Sequence, residues 1–409
     1  MHTPNESIHR VSGRTARLRG VLAVALLAAG AGLAACARDA VGPGLATPRG
    51  PSFTLNPACD PGLGGVTHTD SVLAPETWTR ANNPHRVDTF VSIEGAGVLT
   101  LQPGVLVCFT EDGALLAENG GRLVADGLDT ARIVLTAEDP ADGWWGVHMA
   151  GAPASPSSLR NVRLEHTDLV TALSTHDSHA AIIDSTVFRQ NQSGLHLWGL
   201  GTSIRRSRVD TVTTAYGPAV SLGTSTTFEK TVIRGAAGIG LEVLGTSGMS
   251  LLGGRIEGSG GVGMRVTTPG YAFVAAQPVR IVGGASYPAE MVVSAFPKLY
   301  LGPSQQDSLL GNARDTVVIT GGTLQWYANA SSKIPWRVTD DIVVQWVGIL
   351  HATPGASLTM DPNAGITAQG GGTVVARGSA AAPVVFGGAN WGGITLQGAP
   401  AATSYLTNV

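Results

Sequence analysis

The chain has 409 residues, only 13% of them charged, and a formal net charge of −3. Its 55 glycines and 23 prolines make up about a fifth of the chain, which implies many turns but falls short of the roughly 25–30% that marks low-complexity disorder. Removing the N-terminal leader, with four Arg and one Glu, would leave about −6, a balance without the clustered basic face that nucleic acid requires.

In chain order, Arg10, Arg14, Arg17 and Arg19 precede an apolar run from Val21 to Ala35. A membrane span needs roughly 20 apolar residues, so the run is too short to anchor and reads as the core of a secretory signal peptide, residues 1–35. It ends in Leu33-Ala34-Ala35-Cys36, which resembles the lipobox of bacterial lipoproteins. That resemblance implies cleavage before Cys36 and acylation of Cys36, making the membrane a partner through the lipid. Ordinary cleavage after Ala37 is the alternative, since Ala35-Cys36-Ala37 also fits the small-x-small pattern. Residues 36–58, with Val41-Gly42-Pro43-Gly44 and Pro48-Arg49-Gly50-Pro51, read as the modified Cys and an extended tether. The expected address is the cell envelope, lipid-anchored at the outer membrane or cell surface, and Ala37 is compatible with outer-membrane sorting. Cys59 and Cys108 either pair, as an oxidising compartment permits, or Cys108 is a small packed residue.

Beyond the tether, short alternating runs recur, such as Val98-Leu99-Thr100-Leu101, Arg132-Ile133-Val134-Leu135 and Thr316-Val317-Val318-Ile319. Gly, Asn, Asp and Ser punctuate them, which is the signal for many short strands. Apolar residues five apart occur at Leu159/Leu164, Ile182/Val187, Ile204/Val209, Phe228/Ile233, Leu251/Ile256 and Val274/Val279. A second pair follows in each turn at Leu195/Leu197, Val220/Leu222, Leu241/Val243, Met264/Val266 and Met291/Val293. The spacing predicts a coil of about 23 residues holding two or three strands. So short a coil closes no core alone, and the coils must stack with equivalent strands about 4.8 Å apart. The predicted fold is therefore all-β, a parallel β-helix of about fourteen coils and near 70 Å long.

A larger duplication overlies the coils. Arg86 to Leu135 aligns without gaps onto Arg337 to Phe386, and after a short shift Trp144 meets Trp391 and Asn161-Val162 meets Asn408-Val409. The succession Trp78…Pro84, Leu101-Gln102-Pro103-Gly104, Gly120-Gly121-Arg122-Leu123-Val124-Ala125-Asp126-Gly127, Ile133-Val134-Leu135-Thr136, Trp145-Gly146 and Leu159-Arg160-Asn161-Val162 resembles right-handed β-helix repeat proteins of the pectin-lyase-like superfold. The resemblance covers nearly everything after residue 75. It implies the fold strongly and an activity weakly, because that superfold hosts lyases, hydrolases, adhesins and spacers. The expected plan is an N-terminal cap at 59–85 and a β-helix at 86–409, with the duplicated unit at 78–162 and 326–409. Because the second copy stops where the first runs on into further coils, the chain is expected to be a fragment of a longer protein or to be covered there by another chain.

Stacking turns sequence offset into columns, where site residues must meet. One column is predicted to read Glu165, Phe188, Asp210, Arg234, Glu257, Arg280. Arg234 and Arg280 could there hold the carboxylates of an acidic sugar, or the alternation of charge could simply neutralise itself. A second column reads His196, Ser221, Glu242, Arg265, with Trp198 beside His196. In it His196 could serve as a base, Glu242 as an acid and Trp198 as a sugar-stacking platform, or Glu242 and Arg265 could simply pair on a wet surface beside an exposed His196. His176-Asp177-Ser178-His179 reads as a polar turn rather than a zinc loop. The resemblance would place Asn-Thr-Asp, a paired Asp-Asp and Gly-His-Gly in polygalacturonase-like members; here Asp340-Asp341 stands alone and reads as a turn. The sequence implies no metal site and no cofactor. The expected function is a non-catalytic, envelope-anchored module that binds glycan or acts as a spacer. The alternative is a polysaccharide lyase or glycoside hydrolase acting on acidic polysaccharide.

Overall fold

Short β-branched strands separated by Gly and Asn corners leave each strand no neighbour within its own coil, so pairing must come from the coil above or below. The computed structural model shows this arrangement. It describes residues 57–409 except 61, 63, 169–170, 216, 246–247, 269–273, 297–305 and 400–402. The segments read from the sequence as signal peptide and tether, with Cys36, lie outside the described residues up to residue 56. Among the described residues every ladder between strands is parallel, and only isolated bridges such as Leu128 with Ala131 are antiparallel. About twelve turns stack roughly 24 residues apart. This is fewer than fourteen because some coils carry insertions: Leu115 pairs with Val147, and Leu358 with Phe386.

Each coil has three sides. Ala181–Asp184, Val187–Asn191 and Leu195–Leu197 form one coil, and their successors stack on the first, second and third faces. The first two faces merge into a 17-stranded sheet, because Thr227–Arg234 and Ser250–Glu257 run through their shared corner, while the third face is a 13-stranded sheet. Inward residues such as Leu195, Leu197, Ile204, Phe228 and Ile233 form one continuous buried core.

The register corrects the predicted columns at three places. In the second coil of the series Ile183 and Phe188 point inward, rather than Ile182 and Val187. Adjacent apolar residues there left the parity ambiguous, and a slip of one residue exchanges the two faces. Leu251 pairs with Ala275, one residue beyond Val274, and the irregular register that follows between Leu251 and Leu252 carries Ile256 onto Ile281 rather than Val279. On the third face the last pair is Ala289/Met291 rather than Met291/Val293.

The duplication is visible strand by strand: Val98–Leu101, Leu106–Phe109 and Arg122–Asp126 recur as Ile349–Ala352, Ser357–Met360 and Thr373–Arg377. The second copy is turned by one face. Leu106–Phe109 lies in the 17-stranded sheet, whereas its equivalent Ser357–Met360 lies in the 13-stranded one. Two four-stranded sheets, led by Gly322–Leu324 and Tyr327–Ala330, complete the other sides of the C-terminal coils.

Stacking begins inside the segment assigned to the cap, since Val66–His68 pairs with His85–Val87 and Glu76–Trp78 with Val98–Leu101. Cys59 and Cys108 form a disulfide. The Arg86 guanidinium donates to the Cys59 carbonyl at 2.8 Å and pairs with Glu138. Beside it the rings of His68 and His85 share a hydrogen bond of 2.9 Å, and Trp78 stacks on both. Burial, together with the neighbouring His85, lowers the His68 pKa to about 4, and burial lowers that of His85. Neutral imidazoles are therefore favoured in the fold, and their contribution is complete above the unfolded value near 6.5 and is lost as pH falls toward 4. Amides of Val66–His68 are expected to lose hydrogen-exchange protection between pH 7 and 4.5; unchanged protection factors would contradict the assignment.

Candidate functional site

The third face carries the sequence-predicted column intact. Leu195 and Leu197 face the core, so His196 faces out, and it is followed rung by rung by Ser221, Glu242, Arg265 and Glu290. Ser174 and His148 precede it. His148 is pinned by one ring nitrogen donating to the Trp145 carbonyl at 2.9 Å, while the other lies 2.8 Å from Ser174 Oγ. Burial lowers the pKa of His148 and of His196, in the latter with help from His176 and His148, which favours the neutral form of both rings.

Trp198 stands at the edge of this column. Its indole lies parallel to the His196 ring at 5.3 Å, meets His176 edge-on at 5.4 Å and donates Nε1–H to Ser221 Oγ at 3.0 Å. Three neighbours thus fix the ring while 39% of the residue stays exposed. On the next rung Gly223 has no side chain, and a Cβ there would lie 2.8 Å from Trp198 Cα. Leu244 follows on the rung after. The gap between Trp198 and Leu244 is a shallow notch of about 230 Å³, floored by Gly223 and Gly245.

Of the three residues proposed for catalysis, Glu242 and Arg265 are neighbours, while Ser221 separates His196 from Glu242 and puts them two rungs or roughly 10 Å apart. Arg265 lies 3.9 Å from Glu242 and 3.2 Å from Glu290, so two carboxylates already share it. What the face offers is a held aromatic surface next to the half-buried imidazole of His196, suited to the apolar side of a sugar ring, while the hydroxyls of Ser174 and Ser221 are buried beneath it.

Arg234 and Arg280 fall on the second face, and in different columns. The first column there reads Glu165, Arg189, Asp210, Arg234, Glu257 and Val282, so Phe188 is replaced by Arg189. Arg280 belongs to the neighbouring column, Arg163, Val187, Arg208, Val232, Arg255, Arg280. The register shifts of the preceding section account for both displacements. Arg234 reaches Glu257 at 2.6 Å and Arg208 reaches Asp210 at 2.5 Å, and these exposed pairs contribute only tenths of a kcal/mol each.

Two further groupings escaped the sequence. Asp126, Arg160, Asp184, Arg205 and Glu229 make a second charge ladder on the first face; the same spacing rule, applied one strand earlier, would have found it. The Tyr287 hydroxyl accepts hydrogen bonds from Arg337 at 3.2 Å and Arg314 at 3.0 Å, and Asp361 holds Arg337 at 2.9 and 2.8 Å. The Arg337 hydrogen bond, reinforced by Arg314, lowers the Tyr287 pKa. No repeat spacing signals this cluster, because Tyr287 and Arg314 lie outside the strands. His179 is buried in its turn, with its ring nitrogens 2.8 Å from Ser157 Oγ and 3.1 Å from the Ala150 carbonyl. No family model matches the chain, and neither does any curated protein or any solved structure.

Proposed function

We propose that the chain is a lipid-anchored envelope protein of the pectin-lyase-like superfold that binds glycan on its third face without cleaving it. The observation that carries this reading is Trp198, an exposed indole fixed by His196, His176 and Ser221 beside the Gly223 notch. An indole held in place loses little freedom on binding, which is what a stacking platform needs. The lipobox at Leu33–Cys36 supports the anchor.

On a glycan array, the protein is expected to bind and Trp198→Ala to lose at least tenfold in affinity, with Cys36→Ala shifting the protein from the detergent to the aqueous phase. Unchanged array binding by Trp198→Ala would contradict the site, and a membrane-bound Cys36→Ala would contradict the anchor.

Tyr287 favours a second reading, a lyase or hydrolase acting on acidic polysaccharide. A phenol between two guanidinium groups can hold a proton less tightly while the cations attract a carboxylate. Release of product from polygalacturonate, abolished in Tyr287→Phe, would establish it; intact polymer would exclude it for that substrate.

A further inference from the structure

A second aromatic grouping lies on the C-terminal coils, away from Trp198. The four-stranded sheet Gly322–Leu324, Ile342–Gln345, Gly365–Gln369 and Gly393–Leu396 contains no charged residue in its strands. Its outward positions alternate in parity with the buried Leu324, Ile342, Val344 and Ala368, and they read as Thr323, Val343, Thr367 and Thr395 in one column. In the next column Gln345 pairs with Gln369, Gln325 follows Leu324 on the rung before, and Gln397 donates its backbone N–H to the Ala368 carbonyl on the rung after. None of these four side-chain amides has a hydrogen-bond partner among the described residues.

Trp326 and Trp346 flank this amide column on successive rungs and are 58% and 61% exposed, more than Trp198. Trp346 adopts φ +59°, a left-handed conformation that is costly for a bulky side chain. The duplicated copy shows what the position requires, because its equivalent Gly95 has φ +60°. Likewise Gln345 and Gln369 stand where the first copy has Glu94 and Glu118. Where the first copy has a glycine, free of that cost, the second has a largely exposed indole, and where the first has two carboxylates the second has neutral amides. Left-handed corners elsewhere in the stack fall on residues such as Asn, Ser, Thr, Arg and Lys, and Trp346 is the bulkiest side chain to occupy one among the described residues.

We infer that Trp326 and Trp346, with the Gln325–Gln345–Gln369–Gln397 column, form a second binding site that takes an uncharged polysaccharide. Indoles stack on the C–H faces of sugar rings, and each amide both donates to and accepts from hydroxyl groups. A strand surface without ionic groups offers nothing to a uronic acid, which sets this site apart from the Arg-bearing second face. The inference extends glycan binding beyond Trp198 and does not depend on that site.

The test is affinity electrophoresis of the full protein, in detergent, through gels containing hydroxyethylcellulose, galactomannan or polygalacturonate. Retardation is expected in one or both uncharged polymers. Trp346→Gly, which restores the residue of the first copy, should weaken it about tenfold with no fall in thermal midpoint. Trp326→Ala and Gln345→Glu should weaken it as well. Retardation by polygalacturonate alone, or by an uncharged polymer but unaltered in Trp346→Gly and Trp326→Ala, would overturn the second site; in the latter case its loss in Trp198→Ala would leave the third-face site standing. Free migration in all three gels would overturn the second site.

Discussion

Replacing Gly121 by alanine is expected to destabilise the protein by about 3 kcal/mol, and replacing Gly372 should do the same. A Cβ on Gly121 would lie 1.8 Å from the Ile93 carbonyl oxygen, and one on Gly372 would lie 2.0 Å from that of Val344. Both obstacles are backbone atoms of the neighbouring coil, so no side chain can swing aside and the rungs themselves must part. The two glycines occupy equivalent positions in the duplicated unit, and so do the two carbonyls they meet. Equal penalties at both would show that the copies share their packing although they are turned by one face. Gly398, with φ +75° and nothing within 4 Å of its Cβ, is the control and should cost only about 1 kcal/mol as alanine. Hydrogen exchange in the flanking strands, at matched denaturant, measures the difference. Equal effects at Gly121 and Gly398 would contradict the close approach.

Removing the disulfide is the other large effect. Cys59 and Cys108 are 49 residues apart, and opening a loop of that size is expected to cost about 4 kcal/mol through the freedom it returns to the unfolded chain. Since each coil is supported only by its neighbours, the loss should be local. In Cys59→Ser with Cys108→Ser, protection should fall for Val66–His68 and His85–Val87, where Arg86 also loses its ordered carbonyl partner at Cys59. The coils around Leu195 should be untouched. Unchanged protection at Val66–His68 would mean that the bond adds nothing to the N-terminal coils.

The fold was legible because a coil repeats its inward residues. Leu195, Leu197, Val220 and Leu222 announce two inward positions with one polar residue between, and that rule placed His196, Ser221, Glu242 and Arg265 in one column. It failed where two apolar residues adjoin, as at Ile182-Ile183, and where the register is irregular, at Leu251 and Leu252. Each failure moved a charge, bringing Arg189 into the ladder and taking Arg280 out of it. Residues at corners were harder to place than residues in strands. Trp198 was placed because it adjoins His196, but the notch beside it depends on the missing side chain of Gly223 one coil away. Tyr287, Arg314 and Arg337 come together across coils with no common spacing. Trp346 could have been noticed from the alignment of the copies, where it faces Gly95, had each mismatch been weighed for the conformation its partner permits.

The most direct measurement is the response of the eight tryptophan indole N–H signals to hydroxyethylcellulose, galactomannan and polygalacturonate, followed by NMR on the full protein with single Trp→Phe variants for assignment. The Trp198 signal is expected to shift or broaden, with those of Trp326 and Trp346, in an uncharged polymer whose length stays constant. The buried Trp78, Trp144 and Trp336 should keep their positions. A Trp198 signal unmoved by all three polymers, or a polymer that shortens during the titration, would contradict a non-catalytic glycan-binding face.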